Sequence, residues 1–364
     1  MSDVPFLDLG RQAAVQRVEL GDAFATVLAR GRFVGGPALE AFEAEFAVYC
    51  GVGHAVGVNS GTDAIALALR ALGIGRGDEV VTAANTCVAT VTGIVGAGAT
   101  PVLADADEET WTLDAASAEK AVGRRTKALL PVHLYGQPAD LEPLAALAAK
   151  RGLKLVEDAA QAHGAEYRGA RPGAHSDAAA YSFYPTKNLG ALGDAGAVVT
   201  SDEAVAAALR RLRSHGERAE ARGIAVEPGV NSRLDEVQAE VLRRRLAHLD
   251  AGNERRRQLA GRYLDELEGV VLPVEAEGRR HAWHLFVVLA EDREAFRDRL
   301  RGRGVETLVH YPEPIHRQPA YRELAGRVPL DVSERLCERV VSLPLYPELT
   351  DAEAEQVIAA VRAG

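Results

Sequence analysis

Between residues 54 and 158 short β-rich runs alternate with helical stretches, and this rhythm narrows the fold more than any other feature of the chain. His54-Ala-Val-Gly-Val-Asn59 reads as a strand and is followed by the helix-like Thr62-Asp-Ala-Ile-Ala-Leu-Ala-Leu-Arg70. Asp78-Glu-Val-Val-Thr-Ala83, an apolar helix around Val88 to Val95, and the strand Thr100-Pro-Val-Leu-Ala104 come next. Lys127-Ala-Leu-Leu-Pro-Val-His-Leu134, a helix near Leu141 to Lys150, and Lys154-Leu-Val-Glu-Asp158 continue the pattern. Strands separated by helices of about ten residues predict an α/β fold with a largely parallel sheet covered on both faces.

From about residue 202 the pattern becomes helical and Arg-rich. In Ser232-Arg-Leu-Asp-Glu-Val-Gln-Ala-Glu-Val-Leu-Arg-Arg-Arg245, Leu234, Val237, Val241 and Leu242 mark one face at helical spacing. Strands such as Trp283-His-Leu-Phe-Val-Val-Leu289 then alternate with helices, which predicts a smaller C-terminal unit. The expected division is a large domain of residues 1–245 and a small one of 246–364. The charged stretch Glu217 to Gly229, closing in Pro228-Gly229, is expected to be the least ordered.

A chain of 364 residues, 47% hydrophobic, is long enough for two such domains. No apolar run approaches the roughly 18 residues of a membrane span. Asp3, Asp8, Arg11 and Arg17 make the N-terminus unlike a signal peptide. Three scattered cysteines, Cys50, Cys87 and Cys337, offer no metal cluster and point to a reducing cytoplasm. A net charge of -10 argues against nucleic acid and anionic membranes as partners. Any anionic ligand must therefore be held by local donors.

Only five lysines stand among the 42 basic residues, and one of them ends Ser182-Phe-Tyr-Pro-Thr-Lys187, just before a glycine-punctuated turn. Arginine is a permanent cation, whereas lysine in a dry site can lose its proton and attack a carbonyl. The plainer reading is a surface lysine at a strand end. Asp158 closes its strand at the carboxyl edge, where open α/β sheets place their ligands. A buried carboxylate there would keep a heteroaromatic nitrogen protonated; a turn or helix cap is the alternative. Asn59-Ser-Gly-Thr-Asp63 joins a strand end to a helix start. Free N–H groups of a first helical turn make a phosphate site that Gly61 lets the ligand approach and Thr62 supplements with its hydroxyl. An ordinary capping turn, with Ser60 or Thr62 as cap, would look the same. Together the nest, the acid and the lysine are the set that pyridoxal 5'-phosphate needs.

With these motifs, and with Asp158-Ala-Ala-Gln-Ala-His-Gly164, Gly229-Val-Asn-Ser-Arg-Leu-Asp-Glu236 and His310-Tyr-Pro312, the chain resembles the DegT/DnrJ/EryC1/StrS family of sugar aminotransferases. That family lies within the fold type I pyridoxal phosphate enzymes. The resemblance implies a seven-stranded, mostly parallel mixed sheet flanked by helices, plus a smaller α+β C-terminal domain. Lys187 would carry the cofactor as a Schiff base, Asp158 would face its ring nitrogen, and Gln161 would bond its phenolic oxygen. Ser182 and the backbone at Gly61, Thr62 and Asp63 would hold its phosphate. Asn231 matches a residue that reaches the phosphate of a neighbouring subunit, implying a homodimer with shared active sites. Tyr184, His310 and Tyr311 match positions lining the sugar side.

The implied partners are glutamate as amino donor and a nucleotide diphosphate-linked keto-deoxy sugar as acceptor. Arg233 and the arginines from Arg213 to Arg222 are candidates for the diphosphate, although a solvated helical face explains them as well. Tyr184 and the run Asn188 to Gly196 resemble the 3-aminotransferases and favour amination at C-3 of a dTDP-linked 3-keto-6-deoxyhexose. C-4 amination, an inosose acceptor and a non-catalytic cofactor-binding regulator are the alternatives. A related 3-dehydratase would carry His in place of Lys187. Cys87 departs from the family, which often has an aromatic residue there to stack on the cofactor. A core cysteine and a cofactor contact are both open readings of it.

Overall fold

A computed structural model describes residues 3–218, 223–324 and 327–363. Part of the stretch expected to be least ordered, residues 219–222, lies outside the described residues, and the candidate Arg222 with it.

Eleven strands are present among the described residues. They are β1 His54–Val58, β2 Glu79–Ala83, β3 Thr100–Ala104, β4 Thr126–Leu129, β5 Lys154–Asp158, β6 Glu166–Tyr167, β7 Ala178–Ser182, β8 Gly196–Thr200, β9 Arg279–Arg280, β10 Phe286–Leu289 and β11 Val340–Leu343. Seven of them form one sheet in the order β1-β8-β7-β5-β4-β2-β3. Pairing is parallel from β7 through β5, β4 and β2 to β3. It is antiparallel on both sides of β8. This is the mixed, mostly parallel seven-stranded sheet that the resemblance implies.

The reversal at β8 has a local cause. A parallel return needs a crossover, usually a helix, but the chain between Ser182 and Gly196 forms no helix and comes back directly beside β7. Two glycines permit this tight path. A Cβ on Gly190 would lie 2.5 Å from the Pro185 carbonyl oxygen, and one on Gly196 would lie 2.4 Å from the Ser60 carbonyl carbon. Lys187 is therefore carried on an excursion at the carboxyl edge of β7, next to the carboxyl end of β5 and Asp158.

Successive residues of a strand face opposite sides, and β8 divides accordingly. Val198 packs with Val56, Leu67 and Leu209, whereas Val199 joins Phe42, Phe46 and Leu242. Phe46 meets Tyr181 and Phe183 edge-on, with ring centroids 5.0 and 5.2 Å apart. Each such side chain contributes about 1.5–3 kcal/mol of burial. The buried Glu236 carboxylate closes the N-terminus of the helix Pro37–Cys50, accepting from the amides of Gly36, Ala38 and Leu39 at 2.8, 3.0 and 2.9 Å. An anion is well placed among these otherwise unpaired donors.

A separate apolar cluster, formed mostly of residues expected in the smaller domain, gathers Leu259, Tyr263, Trp283, Phe286, Val341 and Ile358. Val4 pairs with Val305, its amide donating to the Gly304 carbonyl at 2.7 Å, so the N-terminal segment packs in the C-terminal unit. Val287 and Val340 in turn belong to the same apolar cluster as the large sheet.

Candidate active site

Ser60 caps the helix Gly61–Ala71, accepting the Asp63 amide on its hydroxyl at 3.1 Å. The amides of Gly61 and Thr62 remain in the first turn without intrahelical acceptors. A Cβ on Gly61 would lie 2.6 Å from Ser182 Cβ, so helix start and strand end approach as closely as glycine allows. Beside this cradle a cavity of about 240 Å³ opens, lined by Gly61, Thr62, Asp158, Gln161, Ser182, Tyr184, Lys187 and Tyr311. Residues read from four separate segments of sequence thus line one cavity.

Three predicted residues stand elsewhere. The amide of Asp63 is committed to Ser60 and its carboxylate accepts from the Ser232 hydroxyl at 2.7 Å, so it turns away from the cradle. Asn231 is exposed and forms an isolated bridge with Ser214. His310 sits behind Tyr311 and shares a 2.8 Å hydrogen bond with the Ser342 hydroxyl through Nδ1. Among the candidate arginines, Arg213, Arg218 and Arg233 line a separate groove of about 840 Å³ with Arg32, Arg210 and Arg211. Arg213 is occupied by Glu43 and the Gly57 carbonyl, whereas Arg218 and Arg233 make no ion pair among the described residues.

Asp158 is 4% exposed. Its Oδ1 accepts from the Ala160 amide at 3.1 Å and its Oδ2 from the Thr90 hydroxyl at 2.8 Å. Burial pushes this carboxyl upward, opposed by Thr90, Ala160 and the Lys187 cation. Burial pulls the Lys187 ammonium downward, opposed by Cys87 and Asp158. The acid and the base are drawn toward each other, as proton-transfer sites require. Gln161 accepts from the Tyr135 amide at 2.6 Å through Oε1 and donates to the Tyr311 hydroxyl at 3.1 Å through Nε2. Its acceptor is thereby used within the protein, and what it can offer a ligand is an N–H. The Tyr135 hydroxyl donates to the His310 carbonyl, joining this wall to the smaller unit. Cys87 is a free, partly exposed thiol that lines the cavity.

Two contributors had no strong signal in the sequence. Thr90 lies inside an apolar helical run, and only its spacing of four from Thr86 hints at a polar pair. Tyr135 acts through its backbone amide at φ +62°, a conformation that no side-chain pattern announces.

Burial holds His163 at about 3, His281 at about 3 and His310 at about 4, and pulls His284 well below the usual imidazole value. In the unfolded chain these groups take up protons near pH 6.5. Their folded-state values are lower, so the unfolded state gains protons first and stability falls as pH drops from about 6.5 toward 4. Each group is expected to contribute up to about 1.4 kcal/mol per pH unit across that window. Denaturation midpoints at pH 7.5, 5.5 and 4.5 should decline steadily; a flat series would contradict the buried neutral imidazoles.

A mostly parallel sheet, a close glycine approach at a helix start, and a buried acid sharing a cavity with a lysine at the sheet's carboxyl edge define a fold type I aminotransferase. The DegT/DnrJ/EryC1/StrS aminotransferase family model matches residues 16–362. The dTDP-3-amino-3,4,6-trideoxy-alpha-D-glucose transaminase of Streptomyces venezuelae is 52% identical, over 99% of this chain and 95% of that protein. The crystal structure of S. venezuelae DesV in complex with a ketimine intermediate superposes with a TM-score of 0.97 at 52% identity, covering 100% of this chain and 98% of that one. NtdA from Bacillus subtilis with bound cofactor PMP gives 0.92 at 33% identity, over 99% and 85%. The chain belongs to the DegT/DnrJ/EryC1/StrS aminotransferase family.

Proposed function

We propose that this protein uses pyridoxal 5'-phosphate to move an amino group from glutamate to C-3 of a dTDP-linked 3-keto-6-deoxyhexose. The observation that carries the reading is that Lys187, which feels the charge of the buried Asp158, shares one cavity with it and with Gly61 at the helix start. The residues fit the cofactor. The amides of Gly61 and Thr62 and the Ser182 hydroxyl would hold its phosphate, Asp158 would pair with its ring nitrogen, and Gln161 Nε2 would donate to its phenolic oxygen. When bound, the cofactor supplies an electron sink for the substrate carbon. Lys187 Nζ is the proton carrier, because burial brings its ammonium down toward neutrality beside the site.

Tyr184 at the rim, 51% exposed, and Tyr311 within the cavity select the sugar, with His310 kept neutral behind them. Of the candidate arginines, Arg218 and Arg233, which line the groove and make no ion pair among the described residues, are the ones proposed for a diphosphate. A homodimer accounts for the exposed Asn231, which would reach a neighbouring subunit's phosphate. It also accounts for Leu28, Phe33 and Val34, which expose apolar surface within seven residues of chain. Three free thiols suit a cytoplasmic location.

The C-3 assignment is supported by the dTDP-linked 3-amino sugar in the name of the S. venezuelae relative. Its test is to incubate the protein with glutamate and, separately, the 3-keto and 4-keto dTDP-6-deoxysugars, then to locate the new nitrogen by NMR. Nitrogen at C-3 is expected. Amination only at C-4, or turnover only of an inosose, would overturn the substrate reading.

A further inference from the structure

Two threonines of the helix Val88–Gly96 behave differently. Thr92 does what threonine often does within a helix, donating back to the Val88 carbonyl at 2.9 Å, and it is exposed. Thr90 does not. Completely buried, it places Oγ1 2.8 Å from Asp158 Oδ2 and 2.8 Å from the hydroxyl of Thr86, itself 1% exposed.

The direction of this chain of hydrogen bonds follows from proton counting. A hydroxyl has one proton to donate, and an ionised carboxylate only accepts. Asp158 Oδ1 already receives the Ala160 amide, so both of its oxygens act as acceptors. The Thr90 proton therefore points at Oδ2, which leaves Thr90 only lone pairs to offer Thr86. Thr86 must be the donor in that pair. The order is Thr86 to Thr90 to Asp158, each link polarising the next. A hydrogen bond to the charged form of a buried acid favours that form.

We propose that Thr90, backed by Thr86, is a positioning residue that fixes the rotamer of Asp158 and keeps it ionised in its dry site. The inference rests on the reading that the cavity takes pyridoxal phosphate with Asp158 on the ring nitrogen. Thr90 acts through Asp158 and is not itself required to touch a reactant. The other charged or titratable groups facing Asp158 are Lys187 from the excursion after β7, His133 from the segment after β4, and Tyr311 from the smaller unit. Of these, His133 accepts the Ala139 amide on Nδ1 and faces Glu157 through Nε2. None of the three replaces the Thr90 hydrogen bond.

The test compares Thr90→Val, which keeps shape and removes the hydroxyl, with Thr90→Ser and Thr86→Val. Each purified holoenzyme is titrated while the visible absorption of the lysine-bound cofactor is followed. An acid that holds its charge less well leaves the ring nitrogen less protonated, which makes the nearby lysine-cofactor nitrogen more basic. Thr90→Val is expected to raise the pH midpoint of the absorption change by about one unit. It should also lower kcat about tenfold, the scale of one such hydrogen bond, with KM for the amino donor changed less. Thr90→Ser should restore both values, and Thr86→Val should give a smaller shift in the same direction. A merely structural threonine would lower thermal stability without moving the midpoint. A wild-type midpoint and kcat in folded Thr90→Val, or a Thr90→Ser protein as impaired as Thr90→Val, would overturn the proposal. Wild-type protein that shows no visible absorption with added pyridoxal phosphate would overturn the cofactor reading and this inference together.

Discussion

Replacing Lys187 by arginine is expected to abolish turnover while leaving a cation in the same place. The wild-type ammonium loses water on burial, and that pulls it toward the neutral amine against the attraction of Cys87 and Asp158. A guanidinium does not give up its proton under any working condition. It can neither attach the cofactor nor carry a proton between substrate carbon and cofactor. General acid–base work alone accounts for about 10²–10⁴-fold in rate, and loss of covalent attachment adds to it. The expected fall is therefore about 10⁴-fold or more, some 5.5 kcal/mol at 1.36 kcal/mol per tenfold. Single-turnover reaction with glutamate measures it. A rate within tenfold of wild type would contradict the role given to Lys187.

Asp158→Asn is expected to separate function from stability. In the fold, an Asn oxygen can take over the Ala160 amide, and its NH2 can face Thr90, whose hydroxyl rotates to accept. The hydrogen-bonding geometry survives. Burial already works against the Asp158 charge, so removing that charge should leave thermal stability unchanged or slightly higher. Catalysis should nevertheless fall about 10²–10³-fold, roughly 2.7–4 kcal/mol, the scale of one preorganised group aimed at developing charge. Cofactor should remain bound through the Gly61 cradle and Lys187. If activity were retained, the acid would be a turn residue after all; if the variant unfolded, its role would be structural.

The sheet was legible because parallel strands buried on both faces leave apolar runs separated by helices, as in Glu79–Ala83, where all five residues are buried. Strand direction is not written in such runs. Nothing in Gly196–Thr200 marks it as antiparallel; the direction follows from the absence of a helix after Ser182. The pairing of Val4 with Val305 joins residues about 300 positions apart, and no local pattern reports it. In the site, Lys187 and Asp158 stood out by residue type at a strand's carboxyl end. The turn at Asn59 to Asp63 carries two meanings at once, a helix cap and a phosphate site, and the structure shows the cap. Ser60 takes the Asp63 amide, while Gly61 and Thr62 line the cavity where the other reading puts the phosphate. Thr90 was hidden because a threonine in an apolar helix looks like packing until its partner, 68 residues away, is known.

The central claim is that this chain attaches pyridoxal phosphate through one particular lysine. Borohydride reduction of the cofactor-loaded protein, followed by peptide mapping, tests it most directly. Loss of the visible absorption and a single modified peptide containing Lys187 are expected. Reduced cofactor on Lys120, Lys127, Lys150 or Lys154, with Lys187 unmodified, would contradict it.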